Sequence, residues 1–343
     1  MATTSDDARR RISAQPFGLR QQAAIASVAP PRRSTPSATP SSSLLGADRL
    51  VLATRLTRYV VGNSTYYGYR AAQWLSTQLP SATAFRWAQQ AADLYWRRSK
   101  RDRAIVQQNV SIITGTPVDQ EAPVIREVFR NFARYVVEFF TIHATPQPRV
   151  RMEGYEHLAQ IMRQRRGAII LTAHLGNWEV GAILLRRLGV PITAVALTHE
   201  DPRMNRLFDA QRRRCGIPVI PLGLHAAARS LERLHAGECV GLLGDRTFND
   251  TGLTVSWFGR PAVLPRGPAI LSLRSNAPIV PTFLIREGPW TFRFCFEPPI
   301  HPQTAADADQ PIQRVTQACA AVLERRLRQH PEQWLMFQPL GAG

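Results

Sequence analysis

The stretch Ala168-Ile169-Ile170-Leu171-Thr172-Ala173-His174-Leu175-Gly176-Asn177-Trp178-Glu179 runs from an apolar segment into a polar turn. A second apolar segment, Val180-Gly181-Ala182-Ile183-Leu184-Leu185, follows at once. The first run is short and uncharged, as a buried strand requires. Gly176 permits a tight turn. Asn177 is a good N-cap and predicts a helix beginning near Trp178. Glu179 then falls in the first helical turn, where its charge suits the helix dipole. The stretch therefore reads as strand, turn and helix.

The same grammar recurs from about residue 150 onward. Apolar patterning predicts strands at 168–173, 192–197, 218–221, 239–244, 254–258, 279–286 and 290–297. Helical patterning covers 178–188, 202–215, 223–236, 266–275 and 308–329. Alternation of this kind predicts an α/β fold, a mixed central sheet flanked by helices, with a helical N-terminal region before it. Such sheets carry their sites at the carboxyl ends of strands. His174 and Asp245 each follow a predicted strand directly.

His174 and Glu179 are the residue types that base catalysis needs. An imidazole titrates near neutrality, and a carboxylate can fix its tautomer and stabilise the imidazolium. Five positions of a continuous helix turn through roughly 500°, leaving the two side chains about 140° apart. They converge only if His174 lies before the helix. The bland alternative is a capped helix with a solvated Glu and an incidental His. The other histidines, His143, His157, His199, His225, His235, His301 and His330, are scattered without ligand spacing. His199-Glu200-Asp201 reads first as a loop and helix start.

Lys and Arg number 43 against 25 Asp and Glu, a formal charge of +18, and Lys100 is the lone lysine. That balance implies an acidic partner: nucleic acid, anionic lipid or an acidic protein. Basic stripes with aromatic platforms and nucleic-acid reading modules are missing from the sequence, which argues against the first. The four cysteines, Cys215, Cys239, Cys295 and Cys319, show no metal or redox spacing and read as free thiols. No metal site is expected. Neither a Gly-x-Ser-x-Gly elbow nor a phosphate-binding Walker loop occurs.

Residues 1–47 are rich in Ser, Pro and Arg and predict a disordered tail. Residues 48–148 have helical spacing, and Arg55, Arg58 and Arg70 stand among apolar and aromatic residues. Such a region suits an anionic membrane surface or, equally, ordinary packing on a core. No apolar run is long enough for a membrane span, so any membrane contact is expected to be peripheral. The α/β part occupies 149–343.

Further stretches stand in order along the chain: Ala104-Ile105-Val106-Gln107-Gln108-Asn109-Val110, Arg212-Arg213-Arg214-Cys215-Gly216, Gly244-Asp245-Arg246, Trp257-Phe258-Gly259-Arg260-Pro261-Ala262, Pro265-Arg266-Gly267-Pro268, and Trp334-Leu335-Met336-Phe337-Gln338-Pro339. With His174-x4-Glu179 this ordered set resembles the late acyltransferases of bacterial lipid A biosynthesis. It is similar also to their relatives that acylate phosphatidylinositol mannosides. The resemblance covers roughly 95–340 and implies a glycerolipid acyltransferase-like fold over 149–343.

It further implies an O-acyltransferase with His174 as general base and Glu179 as its orienting acid. Arg212, Asp245 and Arg246 would bind substrate, the arginines on phosphate. No cofactor is implied. The acyl chain would arrive as a thioester on acyl carrier protein or coenzyme A, and the acceptor would be a hydroxyl of a membrane glycolipid or lipid A-type molecule. A phosphatidylinositol mannoside, an aminolipid or another lipid is the alternative acceptor. Oxyanion donors are expected among backbone amides near the strand end or turn. The implied location is peripheral, on the cytoplasmic face of the inner membrane. Where lipid A enzymes commonly read Asp-Gln-Asp, this chain reads Asp245-Arg246-Thr247, closer to the mannoside-acylating relatives. The reading from another class is a nucleic-acid or anionic-surface binding protein, which rests on charge alone.

Overall fold

The computed structural model describes residues 65–144, 148–247, 252–302 and 310–340. The tail over 1–47 and the start of the helical region, with Arg55 and Arg58, lie outside the described residues. A helix over 65–78, α1, opens the described part. It is followed by α2 (Ser81–Arg98), α3 (Lys100–Thr114) and α4 (Pro123–Thr141). Proline opens α4, where its fixed φ suits a helix and its missing N–H costs nothing. Val128, Tyr135 and Phe139 recur at helical spacing on its buried face.

Next come β1 (Arg149–Glu153), α5 (Tyr155–Arg163), β2 (Ala168–Thr172), α6 (Trp178–Arg187), β3 (Ile192–Ala196) and α7 (Pro202–Arg214). The chain continues through β4 (Val219–Pro221), α8 (Ala226–His235), β5 (Cys239–Leu243), β6 (Leu253–Trp257) and β7 (Arg260–Leu264). It closes with α9 (Gly267–Ser275), β8 (Ile279–Gly288), β9 (Thr291–Phe296) and α10 (Pro311–Gln329). Seven strands form one mixed sheet in the order β1-β9-β8-β2-β5-β3-β4. β8 and β9 run antiparallel, and the other neighbours are parallel. β6 and β7 make a separate antiparallel hairpin.

Strand periodicity divides the core between two faces. Ala168, Ile170, Val280 and Leu284 pack with Val128, Tyr135 and Phe139 of α4, Ile183 of α6 and Phe208 of α7. Ile169, Leu171, Phe283 and Ile285 pack with Leu271 of α9, Leu323 and Leu327 of α10, and Trp257 of the hairpin. The N-terminal helices therefore share a core with the sheet. The change of pattern near 148 is a change of secondary structure within that core. The four cysteines are free thiols.

Each strand and helix expected beyond 150 is present within a few residues of its expected ends. Three elements lacked a sequence signal. β1 alternates Arg and Glu with two apolar residues and lies half-exposed at the sheet edge. The nine residues of α5 are too few for clear periodicity. β7 starts at Arg260-Pro261 after a turn in which Phe258 and Gly259 both have positive φ. Asn or Asp normally marks the first of those positions, and here Phe258 hides the hairpin.

Register fixes the site. Thr172 of β2 pairs with Leu243 of β5, and the Gly244 N–H donates to the Thr172 carbonyl. His174 and Asp245 each lie two residues beyond that pair, so the sheet delivers both to one carboxyl end.

Gly176 turns the chain there at φ 64°, and a Cβ would collide with the Leu284 carbonyl oxygen. Gly189 sits at φ 83° with nothing within 4 Å of an added Cβ. Gly189→Ala is therefore expected to destabilise by about 1 kcal/mol, the left-handed penalty alone. Gly176→Ala adds the collision and is expected to cost more than ~3 kcal/mol. Urea unfolding of the two variants beside wild type checks the difference.

Candidate active site

Asp245 is wholly buried, and its carboxylate is met by three donors. Oδ2 accepts from the His174 backbone N–H at 2.9 Å and from Trp334 Nε1 at 2.8 Å. Oδ1 lies 3.0 Å from His174 Nδ1. Side-chain exposure is 17% for His174 and 0% for Asp245, so the imidazole is the reachable member of the pair. Burial alone would raise the Asp245 pKa, but His174 and the Trp334 indole outweigh it and hold the group below the usual carboxylate range. An ionised Asp245 accepts at both oxygens. Nδ1 of His174 then carries the proton, and the Nε2 edge is left to the cavity that the ring lines.

Glu179 takes a different partner. Arg212 of α7 clasps it, with Nε donating to Oε2 at 3.1 Å and Nη2 to Oε1 at 2.5 Å. The remaining nitrogen, Nη1, reaches Asp209 at 3.3 Å. Burial disfavours the Arg212 charge, and Glu179 more than offsets it, so the guanidinium pKa rises above its ordinary value. The expected His174–Glu179 pair is thus replaced by two pairs, His174–Asp245 and Glu179–Arg212. The reason is geometric. Glu179 enters on α6 facing α7, whereas the strand register brings Asp245 under the ring.

Local structure holds the turn. Asn177 caps α6 as expected, its Oδ1 accepting from the Val180 N–H at 3.1 Å. The His174 carbonyl accepts from the Leu335 N–H at 2.7 Å, and the Gly176 N–H donates to the Gln333 carbonyl at 3.0 Å. The Asn177 N–H donates to the Leu284 carbonyl. The amides of His174, Gly176 and Asn177 are therefore committed within the protein. Trp178 stands edge-on to His174 at 4.9 Å and stacks on Tyr135 at 4.5 Å.

A cavity of about 550 Å³ opens from these residues. His174, Trp178, Glu179, Arg212 and Arg246 line its polar part. Ile170, Leu185, Ile192, Ala194, Leu284 and Phe294 extend it as an apolar chamber between α6 and the sheet. A second cavity, of about 240 Å³, shares Arg246 and Thr247 with the first and reaches Asp245, Trp257 and Gln338. His199 lines the larger cavity as well. Asp201, two residues on, caps α7 by accepting from the Arg203 N–H.

A family model for the bacterial lipid A biosynthesis acyltransferase matches residues 55–340. The chain belongs to that family. It is an acyltransferase. This acyltransferase is 27% identical over 286 residues to the phosphatidylinositol mannoside acyltransferase of Mycolicibacterium smegmatis, covering 81% of this chain and 91% of the relative. It is 26% identical over 290 residues to the Mycobacterium tuberculosis protein of the same name, covering 82% and 89%. With the lipid A biosynthesis palmitoleoyltransferase of Escherichia coli it shares 22% over 243 residues, covering 69% and 77%.

Of the five residues singled out in the sequence, all line one or both cavities. Sequence reasoning gave no part to Trp334, which donates to Asp245, or to Tyr135, on which Trp178 stacks. Trp334 stood in a quoted motif, but its partner lies 89 positions away. Asn109, in the quoted upstream stretch, also has a distant task. Its Nδ2 donates to the carbonyls of Met336 and Gln338, and its Oδ1 accepts from the Leu340 N–H. It thereby stitches down the segment that carries Trp334.

The depressed Asp245 pKa has a consequence for acid stability. Its contribution is complete above the ordinary carboxylate range and is lost as pH falls through the lower folded value. Asp245→Asn is expected to be less stable at neutral pH and to lose less on acidification from about pH 5 to about pH 3. Urea unfolding across that range checks it. The same substitution is expected to lower acyl transfer by roughly 10⁴-fold, because an amide cannot fix the imidazole tautomer as a carboxylate does.

Proposed function

We propose that this acyltransferase moves a fatty acyl chain from a thioester, on acyl carrier protein or coenzyme A, to a hydroxyl of a membrane glycolipid. The observation that carries the reading is the Asp245-oriented imidazole of His174 at the polar end of an apolar chamber. His174 Nε2 takes the proton of the acceptor hydroxyl as its oxygen attacks the thioester carbonyl. The carbon–sulfur bond then breaks, and the imidazolium returns the proton to the departing thiolate. The thioester is already activated, so the chain's own residues need only position, take and return a proton. The apolar chamber holds the acyl chain.

Arg212 is held by Glu179 and Asp209, and the phosphate role is given to Arg246 because it lines both cavities. A guanidinium there forks onto phosphate of the donor's pantetheine arm or of the acceptor headgroup. Glu179 and Arg212 shape the acceptor side of the larger cavity. The mannose-bearing phospholipid in the names of the mycobacterial relatives, together with Asp245-Arg246-Thr247, favours an acceptor that carries both sugar and phosphate.

The enzyme works from the cytoplasmic face of the inner membrane as a peripheral protein. No helix among the described residues is long and apolar enough to cross a membrane. Tyr67 and Trp74 of α1 and Trp87 of α2 are each about 60% exposed, and Arg70, Arg86, Arg97 and Arg98 of the same two helices are exposed as well. Exposed tryptophans with neighbouring arginines suit the headgroup layer of an anionic bilayer. Replacing Trp74 and Trp87 together by Ser is expected to weaken co-sedimentation with anionic vesicles at least tenfold. Unchanged binding would overturn the peripheral assignment to this face.

The direct test offers wild type and His174→Ala an acyl carrier protein thioester or acyl-CoA with a total lipid extract, and reads products by mass spectrometry. A His174-dependent gain of one acyl chain is expected, and the product identifies the acceptor. Absence of transfer from either donor by folded enzyme, or transfer undiminished in His174→Ala, would overturn the reading.

A further inference from the structure

Behind the His174 turn lies a charged cluster that no step above uses. Glu138 of α4 is fully buried, and Arg286 of β8 is nearly so. The Glu138 carboxylate accepts from Arg286 Nε at 2.7 Å and Nη2 at 2.5 Å. It also accepts from Asn177 Nδ2 at 2.7 Å. Arg286 Nη1 donates to Asn131 Oδ1 at 3.0 Å, and Asn131 Nδ2 donates to the Glu332 carbonyl at 2.8 Å. The Arg286 backbone exchanges two hydrogen bonds with the Gln333 side chain, and the Gln333 carbonyl accepts from Gly176.

We infer that Glu138, locked by Arg286, is a positioning residue that sets the geometry of the His174–Trp178 turn through Asn177 and Gln333. The inference rests on the acyl-transfer reading of His174.

Two physical points carry it. First, stability alone is a poor reason for such a pair. Replacing a buried ion pair by apolar side chains of similar size is often neutral or stabilising. Second, the bonds of the cluster converge on one short turn. A carboxylate at Glu138 accepts only, so it requires the NH₂ of Asn177 to face it, and this turns Oδ1 toward the Val180 N–H. The reversed amide would set two acceptors together and uncap α6. The cap fixes Trp178, whose ring stands edge-on to His174. Gln333, held by the Arg286 backbone, fixes Gly176 from the other side. Small displacements of a reacting group lower rates by up to about a hundredfold, so a stiff turn has kinetic value.

The test uses the full chain and compares wild type, His174→Ala, Glu138→Gln, Asn177→Asp, the double variant Glu138→Gln/Asn177→Asp, and the apolar pair Glu138→Met/Arg286→Met. Thermal unfolding, kcat and KM for the thioester are measured on each, with kcat per folded molecule. Asn177→Asp sets two carboxylates face to face and is expected to lose about tenfold to a hundredfold in kcat, with KM for the thioester unchanged. Adding Glu138→Gln restores a donor between the positions and is expected to recover most of that loss. The apolar pair is expected to unfold near the wild-type temperature yet keep a kcat loss of similar size. Wild-type kcat in the apolar pair, or no recovery in the Glu138→Gln/Asn177→Asp double variant, would overturn the inference.

A second readout does not need turnover. In protein carrying ¹³C-labelled histidine, the His174 ring signal is assigned by its loss in His174→Ala. It is expected to shift in Asn177→Asp and to return in the double variant. If transfer is absent from wild type while the ring signal behaves so, the reaction assignment fails and the positioning role stands. If transfer is normal and the ring signal stays fixed in every variant, the positioning role fails by itself.

Discussion

The carboxylate of Asp245 is removed from water, and an isolated buried carboxylate is unstable by several kcal/mol. The fold is arranged around meeting that demand. The register of β2 against β5 brings the His174 amide and imidazole to it, and the C-terminal segment brings the Trp334 indole. That segment is held in place by Asn109 from α3 and by backbone bonds to His174 and Gly176. Satisfying one charge thus ties together the sheet, an N-terminal helix and the C-terminal segment that carries Trp334.

The same low-dielectric surroundings that penalise a lone charge strengthen a paired one. Two further buried pairs, Glu179–Arg212 and Glu138–Arg286, adjoin the turn. The first joins α6 to α7, with only β3 between them, and the second joins α4 to β8, 148 positions away. Between them Trp178 stacks on Tyr135, so aromatic packing completes a frame in which the His174 ring has little freedom. The apolar chamber begins where this frame ends. Its walls are the sheet residues that face α6, so a single strand, β2, both leads into the His174 turn and lines the chamber.

Much of the architecture was legible in the chain. Short apolar runs separated by amphipathic segments mark the α/β sheet, and Gly176-Asn177 marks the entry to α6. The failures share a cause. β1, α5 and β7 are short or edge elements whose burial is too slight to leave a pattern. The helical region before 148 read equally well as a membrane-seeking or a packed segment, because an amphipathic helix presents the same periodicity to a lipid surface and to a core. Phe129 and Phe139 pack on the sheet, while Trp74 and Trp87 stay exposed.

At the site, the sequence by itself determined which residues are present at the strand ends. His174 and Asp245 each stand two positions past a strand, and Glu179 and Arg212 each stand near a helix end. Pairing was decided only by the tertiary structure. Proximity along the chain favoured Glu179 for His174, yet a first-turn residue of α6 projects toward α7 and finds Arg212. Asp245, remote in sequence, is brought under the imidazole because parallel strands in register end at the same level. Linear spacing records what one element can do alone, and the partner of a side chain is a property of how elements meet.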